Sequence, residues 1–476
     1  MINLTKICFH YQIPAFTLFL DIVSGQCSLH YEGNEFIVML IETATPSEDP
    51  KLFVSSPSTS EVVVTIETPV FGKPFTKTIV LYPRRTQVIV LPKELVVAGT
   101  TVEKKGILVR STDDIVLSMQ QGLCGTFNVI PVAALGDNYL VMSSWAGGGA
   151  TSRGQIGIIA AEDDTHVRAI IPHNSGVVLT YNGIDYNETQ PLELVLNKFE
   201  TVQLQSANAA DVTGTMIEAN NTVAVLSGVL NTTAGNSDDI VQEMTPTHAA
   251  GTTFGLVGFH DQVTRYRVRV MSVHNNTTVT ISGNETYLSH AGQYIAHNMS
   301  SAEPVGISAD KPVIVAEFSE TKGSGTLGGP SMVLIPPTQQ YRNEYTFTVP
   351  MPSTVYNSSY LLVTIEGGQE DQIFMDGNQV LGERVDIADT SPHLVGVTTT
   401  VSAGRHHIYH QFRDVTFGLY LYGTARGMCA FSFVAGMCLE DIRQVGGLYE
   451  NCPKYIYCRH ASVILGSEND YDVFKF

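Results

Sequence analysis

One recurring pattern limits what this chain can fold into. The stretch Thr213 to Ser227, TGTMIEANNTVAVLS, sets two apolar runs on either side of the polar pair Asn220-Asn221. Gly106 to Met119 (GILVRSTDDIVLSM) does the same around Asp113-Asp114, and Gly306 to Phe318 (GISADKPVIVAEF) around Asp310-Lys311. Asp and Asn tolerate tight-turn geometry, so each copy is expected to be a hairpin of strand, turn and strand. The centres lie 107 positions apart (220 − 113) and then 90 (310 − 220). That period is too long for a helical solenoid repeat or one propeller blade and suits a small β domain.

Two further markers follow in the same order. Pro131 precedes Tyr139, Pro246 precedes Phe254 and Pro337 precedes Tyr345, each by eight residues. Proline lacks a ladder donor and ends a strand, a short turn follows, and the aromatic opens the next strand by plugging the core. Gln155 to Ile170 then matches Tyr266 to Ile281, with Asp163-Asp164-Thr165 and Asn275-Asn276-Thr277 as hairpin turns and weaker equivalents at Ser58 to Glu61 and Gly367 to Asp371. Within residues 26–438 this divides the chain into four units, 33–130, 131–245, 246–336 and 337–438. In the first, strands are expected at Gly33 to Ile41, then after a polar loop at Glu61 to Ile66, and at Lys77 to Leu81 and Gln87 to Leu91 about the turn Pro83-Arg84-Arg85. The last ends in an aromatic-rich hairpin, Phe417 to Met437. The expected fold class is all-β, tandem β-sandwich-like repeats of about 100 residues. A β-propeller is the alternative, disfavoured because the markers recur at about 100 rather than 50 residues.

Composition agrees: only 15% of residues are charged and 41 Gly with 21 Pro punctuate the chain, with no convincing long helix. The net charge of −19, with no basic cluster offsetting it locally, excludes nucleic acid as a partner. It suits a hydrated secreted protein. Residues 1–25 read as a signal peptide, with an ordinary first strand or a mis-started gene model as the other readings. Its apolar run is too short to span a bilayer, so no integral membrane segment is expected. Residues 439–476 read as a cysteine-containing tail, or the stub of a longer protein.

After that leader six cysteines remain, Cys27, Cys124, Cys429, Cys438, Cys452 and Cys458. The last four crowd together and are the disulfide candidates, expected to form local bridges, while the absence of a CxxC pair disfavours zinc. Glycosylation sequons stand at Asn187, Asn220, Asn231, Asn275, Asn276, Asn284, Asn298 and Asn357, with Asn220 and Asn275-Asn276 at expected hairpin tips.

Motifs for catalysis or cofactors find no support. Gly323 to Gly328 spells GxGxxG, but an apolar strand follows where a helix must receive a pyrophosphate. Gly147-Gly148-Gly149 beside Trp145 reads as a loop of the kind that carries binding surface. His406 and His410 share one strand face about 13 Å apart and His407 takes the other, so they cannot chelate together. Asp113-Asp114, Asp163-Asp164 and Asp238-Asp239 are the remaining candidates for calcium, against plain turn acids. No catalytic, cofactor or metal residue is assigned.

The succession VIPVAALGDNYLVMSS, QIGIIAAEDDTHV, VAVLSG, DIVQEMTPTHAAGTTF, YRVRVMSVHNNTTVTI, PVIVAEF, SMVLIPPTQQYRNEYTFTVP and FGLYLYG resembles the IgG Fc-binding protein N-terminal domain family, from about Gly33 to Met437. The resemblance implies a non-enzymatic extracellular domain of secreted, mucus-associated and cell-surface proteins, often joined to von Willebrand-type D modules. No catalytic residue comes with it, and immunoglobulin binding has no residue motif to carry over. The expected function is a secreted recognition or adhesion module for an extracellular protein or glycan. A carbohydrate-active hydrolase on a β scaffold is the alternative, which needs two facing carboxylates in a deep pocket.

Overall fold

The computed structural model describes residues 27–43, 48–122, 125–144, 152–207, 209–232, 238–259, 265–300, 303–319, 329–350, 356–425, 429–441, 463–467 and 470–474. The expected signal peptide, Cys124, Cys452, Cys458, Trp145 and the glycine runs 147–149 and 323–328 lie outside them. One compact unit spans Cys27–Gly446; the other comprises Met1–Gln26 and Gly447–Phe476. The described residues hold strands and short 3-10 turns, with no α-helix among them.

Taken along the chain in four successive sets, the strands of the large unit also pair across those divisions: Thr101–Glu103 of the first pairs with Thr201–Gln205 of the second, and the fourth is divided between a 4-stranded and a 5-stranded sheet. The first holds β1 (Gly33–Val38), β2 (Lys51–Ser55), β3 (Val62–Glu67), β4 (Thr76–Leu81), β5 (Gln87–Val90), β6 (Thr101–Glu103), β7 (Ile107–Gln121) and β8 (Gly125–Asn128). The second holds β9 (Gly136–Leu140), β10 (Gly154–Ala160), β11 (Thr165–Ile170), β12 (Leu179–Tyr181), β13 (Ile184–Tyr186), β14 (Leu192–Leu196), β15 (Thr201–Gln205), β16 (Met216–Thr232) and β17 (Asp238–Glu243). The third holds β18 (Gly251–Leu256), β19 (Arg265–Ser272), β20 (Thr277–Ile281), β21 (Asn284–Leu288), β22 (Tyr294–Ser300), β23 (Val305–Ser319) and β24 (Ser331–Leu334). The fourth holds β25 (Glu344–Val349), β26 (Tyr356–Glu366), β27 (Ile373–Met375), β28 (Asn378–Gln379), β29 (Glu383–Ile387), β30 (Leu394–Thr400), β31 (Gly404–His410), β32 (Phe417–Ala425) and β33 (Cys429–Val434). The smaller unit contributes one antiparallel hairpin, β34 (Val463–Ser467) with β35 (Asp470–Phe474).

The recurring stretch is one long bent strand rather than a hairpin. β7 pairs with β1 and β3 along Ile107–Ser111 but with β2 and β8 from Val116 onward. β16 divides likewise, Met216–Ala219 lying against β11 and Val223–Val229 against β10 and β17. β23 repeats it with β20 before the bend and β19 and β24 after. Each polar pair thus sits where a strand passes from one sheet of a sandwich to the other. There the ladder is broken and side chains complete it. Thr112 Oγ1 accepts from Val63 N at 3.0 Å, Asn220 Oδ1 from His166 N at 2.7 Å and Asp310 Oδ1 from Thr278 N at 2.8 Å. All three stand three residues before the strand residue that pairs with Gly33, Gly136 or Gly251, namely Ile115, Val223 or Val313.

The acidic and amide turns prove to be corners as well. β10 and β11 both pair with β16 on opposite sides of its bend, as β19 and β20 do with β23. Asp164 and Asn276 take the left-handed conformation expected of these residue types, φ 54° and 58°. Bend and corner meet: Asn221 Nδ2 donates to Asp163 O at 3.3 Å, and Lys311 Nζ to the carbonyls of Asn275 and Asn276 at 2.8 Å each.

The proline markers behave as expected. Pro131, Pro246 and Pro337 each open a single 3-10 turn, and Tyr139, Phe254 and Tyr345 are buried at the strands that follow. Tyr139 donates to Val223 O at 2.7 Å and accepts from Gly136 N; Tyr345 does the same with Phe417 O and Arg342 N. A Cβ on Gly33 would lie 2.6 Å from Pro131 Cβ, on Gly136 2.9 Å from Pro246 Cβ and on Gly251 2.3 Å from Pro337 Cβ. Each first strand therefore carries a bare seat for the proline that ends its own set.

The last strands of the four sets close on one another: β8 packs against β17 and β33, and β24 against the same two. Buried polar side chains stitch these contacts. Gln242 Nε2 donates to Thr126 O and Ser432 O, Asn128 Nδ2 to Val434 O, and Ser432 Oγ to Ser331 Oγ. Satisfied buried groups of this kind hold one register. The closure brings residue 27 to residue 438, and Cys438 is bonded to Cys27, 411 positions away, instead of to a neighbour in the tail. Leu439 N donates to Leu29 O at 2.7 Å beside it. The side chain of Cys429 lies outside the described residues.

Candidate functional site

The strand histidines are held one by one. His410 is 1% exposed with its ring between the carbonyls of Phe412 and Gln369, and His407 is half-buried beside Glu344. His406 Nδ1 lies 2.7 Å from Asp376 Oδ2, and its Nε2 is 2.9 Å from Ser402 O but 3.4 Å from Ser402 Oγ. The residue types are those of a hydrolytic triad, but the nitrogen that would activate the hydroxyl is engaged by the carbonyl. The arrangement anchors β31.

The aspartate pairs fall in separate places. Asp113 accepts from Asp114 N, Asp163 from Lys198 N, and Asp239 is buried, while the side chain of Asp238 lies outside the described residues. Among the described residues the group of metal-ligating types drawn together is Cys27, Cys438 and Glu440. Its two sulfurs are spent in the disulfide and its carboxylate accepts from Ser28.

Three buried charged groups were not legible in the sequence. Glu243 accepts from Ile130 N at 3.3 Å, and burial pushes its carboxyl well above the ordinary range against that bond. Glu317 is fully enclosed, and burial raises it likewise, with the nearby Tyr420 hydroxyl pulling the other way. That hydroxyl is itself bonded to Val257, donating to its O at 2.8 Å and accepting from its N at 2.9 Å. Arg269, in β19, bonds Asp211 at 2.6 Å, Ser143 O at 2.6 Å and Thr213 Oγ1 at 2.8 Å, between the rings of Tyr294 and Phe318. All three groups are walled off from solvent, so they bear on packing rather than on a substrate.

What faces solvent is a set of turns, edges and outer sheet faces. Asn187, Asn220, Asn275, Asn276, Asn284 and Asn298 are exposed and Asn231 half-buried; Asn357's side chain lies outside the described residues. Asn275 and Asn276 stand at the corner between β19 and β20 and Asn220 on the bent strand, so neither place is the hairpin tip expected. The first set also shows a surface that composition hid. Lys73, Lys77, Arg84 and Arg85 are exposed around β4 and its following turn, beside Val63, Val80 and Tyr82 at 40%, 39% and 54% exposure. A basic stretch therefore does exist on this acidic chain, four Lys or Arg and no acid within residues 73–85.

No curated protein matches this chain. Among solved structures, the crystal structure of Streptomyces avermitilis alpha-L-rhamnosidase complexed with L-rhamnose aligns at 8% identity over 83% of this chain and 57% of that one, with a TM-score of 0.12. At that score the alignment carries no weight for fold or activity. The family model described as IgGFc binding protein matches residues 125–423, more than half of the chain and inside the span of the resemblance seen in the sequence. The chain belongs to the IgGFc binding protein family.

Proposed function

We propose that the protein is a secreted recognition or adhesion module of mucosal or extracellular-matrix surfaces, built of four tandem β repeats and binding a protein or glycan ligand through turns, edges and outer sheet faces. The observation that carries this is the family match over residues 125–423. The Cys27–Cys438 disulfide supports it, since such bonds persist in oxidising compartments. Exposed sequon asparagines support a glycoprotein. Ligand recognition by loops on a rigid β scaffold is the common division of labour in such folds.

The test is a pull-down and glycan-array screen with the full chain, run with and without calcium, with immunoglobulin Fc among the protein probes because of the family's name. Saturable binding of a protein or glycan without turnover is the expected result. Cleavage of an arrayed glycan, or no binding in either format, overturns the reading. Binding lost in chelator would assign calcium to the acidic turns.

A further inference from the structure

We propose that the free edge of β4 is a docking site for an acidic, extended segment of another polypeptide, which adds to the first set's sheet as a further strand. The proposal rests on the recognition reading above and names the partner class and the surface.

β4 is terminal in the sheet order β4-β3-β7-β2-β5. Its register against β3 pairs Glu67 with Thr76, Thr65 with Thr78 and Val63 with Val80. Thr68 N donates to Phe75 O at 3.0 Å, whereas Val63 N turns to Thr112 on the β7 side. Antiparallel pairs alternate between bonded and non-bonded, so the N–H and C=O groups of Thr76, Thr78 and Val80 point away from β3. Four of the strand's six residues are exposed. Among the described residues no further strand pairs with this edge, and its main-chain donors and acceptors are of the kind another backbone can satisfy.

Charge selects the occupant. Residues 71–110 hold eight Lys or Arg and two acids, 8 − 2 = +6, in a chain of net charge −19. Of those cations, Lys93 pairs with Asp49, Lys104 with Glu200, Lys105 with Glu103, and Arg110 with Glu35 and Glu67. Glu61 is exposed just before β3, so Lys73, Lys77, Arg84 and Arg85 supply the field along β4. Lys73 precedes the strand, Lys77 lies on it and Arg84-Arg85 follow it, so basic groups mark both ends of an edge about 20 Å long. Val63, Val80 and Tyr82 give an apolar row on the outer face for alternate side chains. Every sequon after residue 26 lies at or beyond Asn187, which leaves this surface bare. A sulfated glycan would meet the charge but has no peptide groups to pair with Thr76, Thr78 and Val80, so the edge favours a polypeptide.

The test uses the full chain and a fluorescent eight-residue peptide of alternating Thr and Val with two Glu at each end, against the same peptide carrying Lys for Glu. The acidic peptide is expected to bind, and more weakly as salt rises. Thr78→Pro removes one outward N–H without touching the β3 ladder, and Lys73→Glu/Lys77→Glu/Arg85→Glu reverses the field. Each is expected to weaken binding about tenfold or more with unchanged Tm. Equal binding of the two peptides, or Thr78→Pro binding like the parent, overturns the proposal. So does a heparin oligosaccharide that binds the parent and Thr78→Pro alike while displacing the peptide. If the screen yields a ligand that both variants still bind while the acidic peptide does not, docking at β4 fails and the recognition reading stands.

Discussion

Asp211→Ala is expected to be among the most destabilising single changes in this chain. The carboxylate lies 2.6 Å from Arg269 Nη1, with the two side chains 14% and 5% exposed. Thr213 Oγ1 also donates to Asp211 Oδ1 at 2.6 Å. Truncation removes the bonds this carboxylate accepts from Arg269 Nη1, Thr213 Oγ1 and Thr213 N, hydrogen bonds to a charged group being worth about 1.5–3 kcal/mol. It also leaves a guanidinium in a site that was neutral as a pair, and breaking a buried pair in this way costs about 3–5 kcal/mol. Ser143 O and the rings of Tyr294 and Phe318, 4.9 and 5.3 Å from Arg269 Cζ, remain to hold the cation, which places the expected loss at the lower end of that range. Removing both charges in Asp211→Ala/Arg269→Met should recover most of the loss, because a buried pair replaced by apolar groups is often close to neutral. Urea unfolding of parent, single and double variants gives the coupling directly. A loss under about 1 kcal/mol for Asp211→Ala, with no recovery in the double variant, would refute the reasoning.

Other outcomes follow from the same structure. Glu243 and Glu317 have carboxyls raised above their unfolded values, so the native state keeps protons that the unfolded chain releases above about pH 4.5. Stability should fall as pH rises above about 4.5, and Glu317→Gln should flatten that slope. His30 acts in the opposite sense: burial, then Arg342, lower its pKa from 6.5 to about 4, so stability is lost as pH falls through that window. His30→Asn should abolish this acid-side loss in a pH series of melting curves. At the strand bends, Asn220→Ala and Asp310→Ala each strip the partner of a backbone N–H and should cost about 1 kcal/mol, whereas Asn220→Asp, still an acceptor, should retain most of it. Equal losses for Asn220→Ala and Asn220→Asp would show that the acceptor is not what matters.

The repeating markers were legible because each is a local requirement. A proline that stops a strand, an aromatic eight residues on that fills the core, and an Asp or Asn in left-handed geometry all leave traces in composition and spacing. The bent strands were misread as hairpins because a polar pair between apolar runs has the same local appearance in both. Only the pairing of the two halves with different partners distinguishes them, and that is non-local. β2 was hidden in an apparent polar loop: Leu52 and Val54 face the core, and Phe53 is buried on the strand's other side, where β25 packs, so no alternation shows. The basic stretch Lys73 to Arg85, four Lys or Arg with no acid in 13 positions, was legible in the sequence and was passed over against the net charge of −19. The Cys27–Cys438 bond was missed because proximity in sequence stood in for proximity in space, which fails in an arrangement whose last set returns to its first.

That closure is the central claim, and non-reducing peptide mapping of the full chain after expression through a secretory route tests it most directly. The account predicts a cross-linked peptide pair containing Cys27 and Cys438 that separates on reduction. Cys438 recovered instead in a bridge to Cys429, Cys452 or Cys458, or as a free thiol, would contradict it.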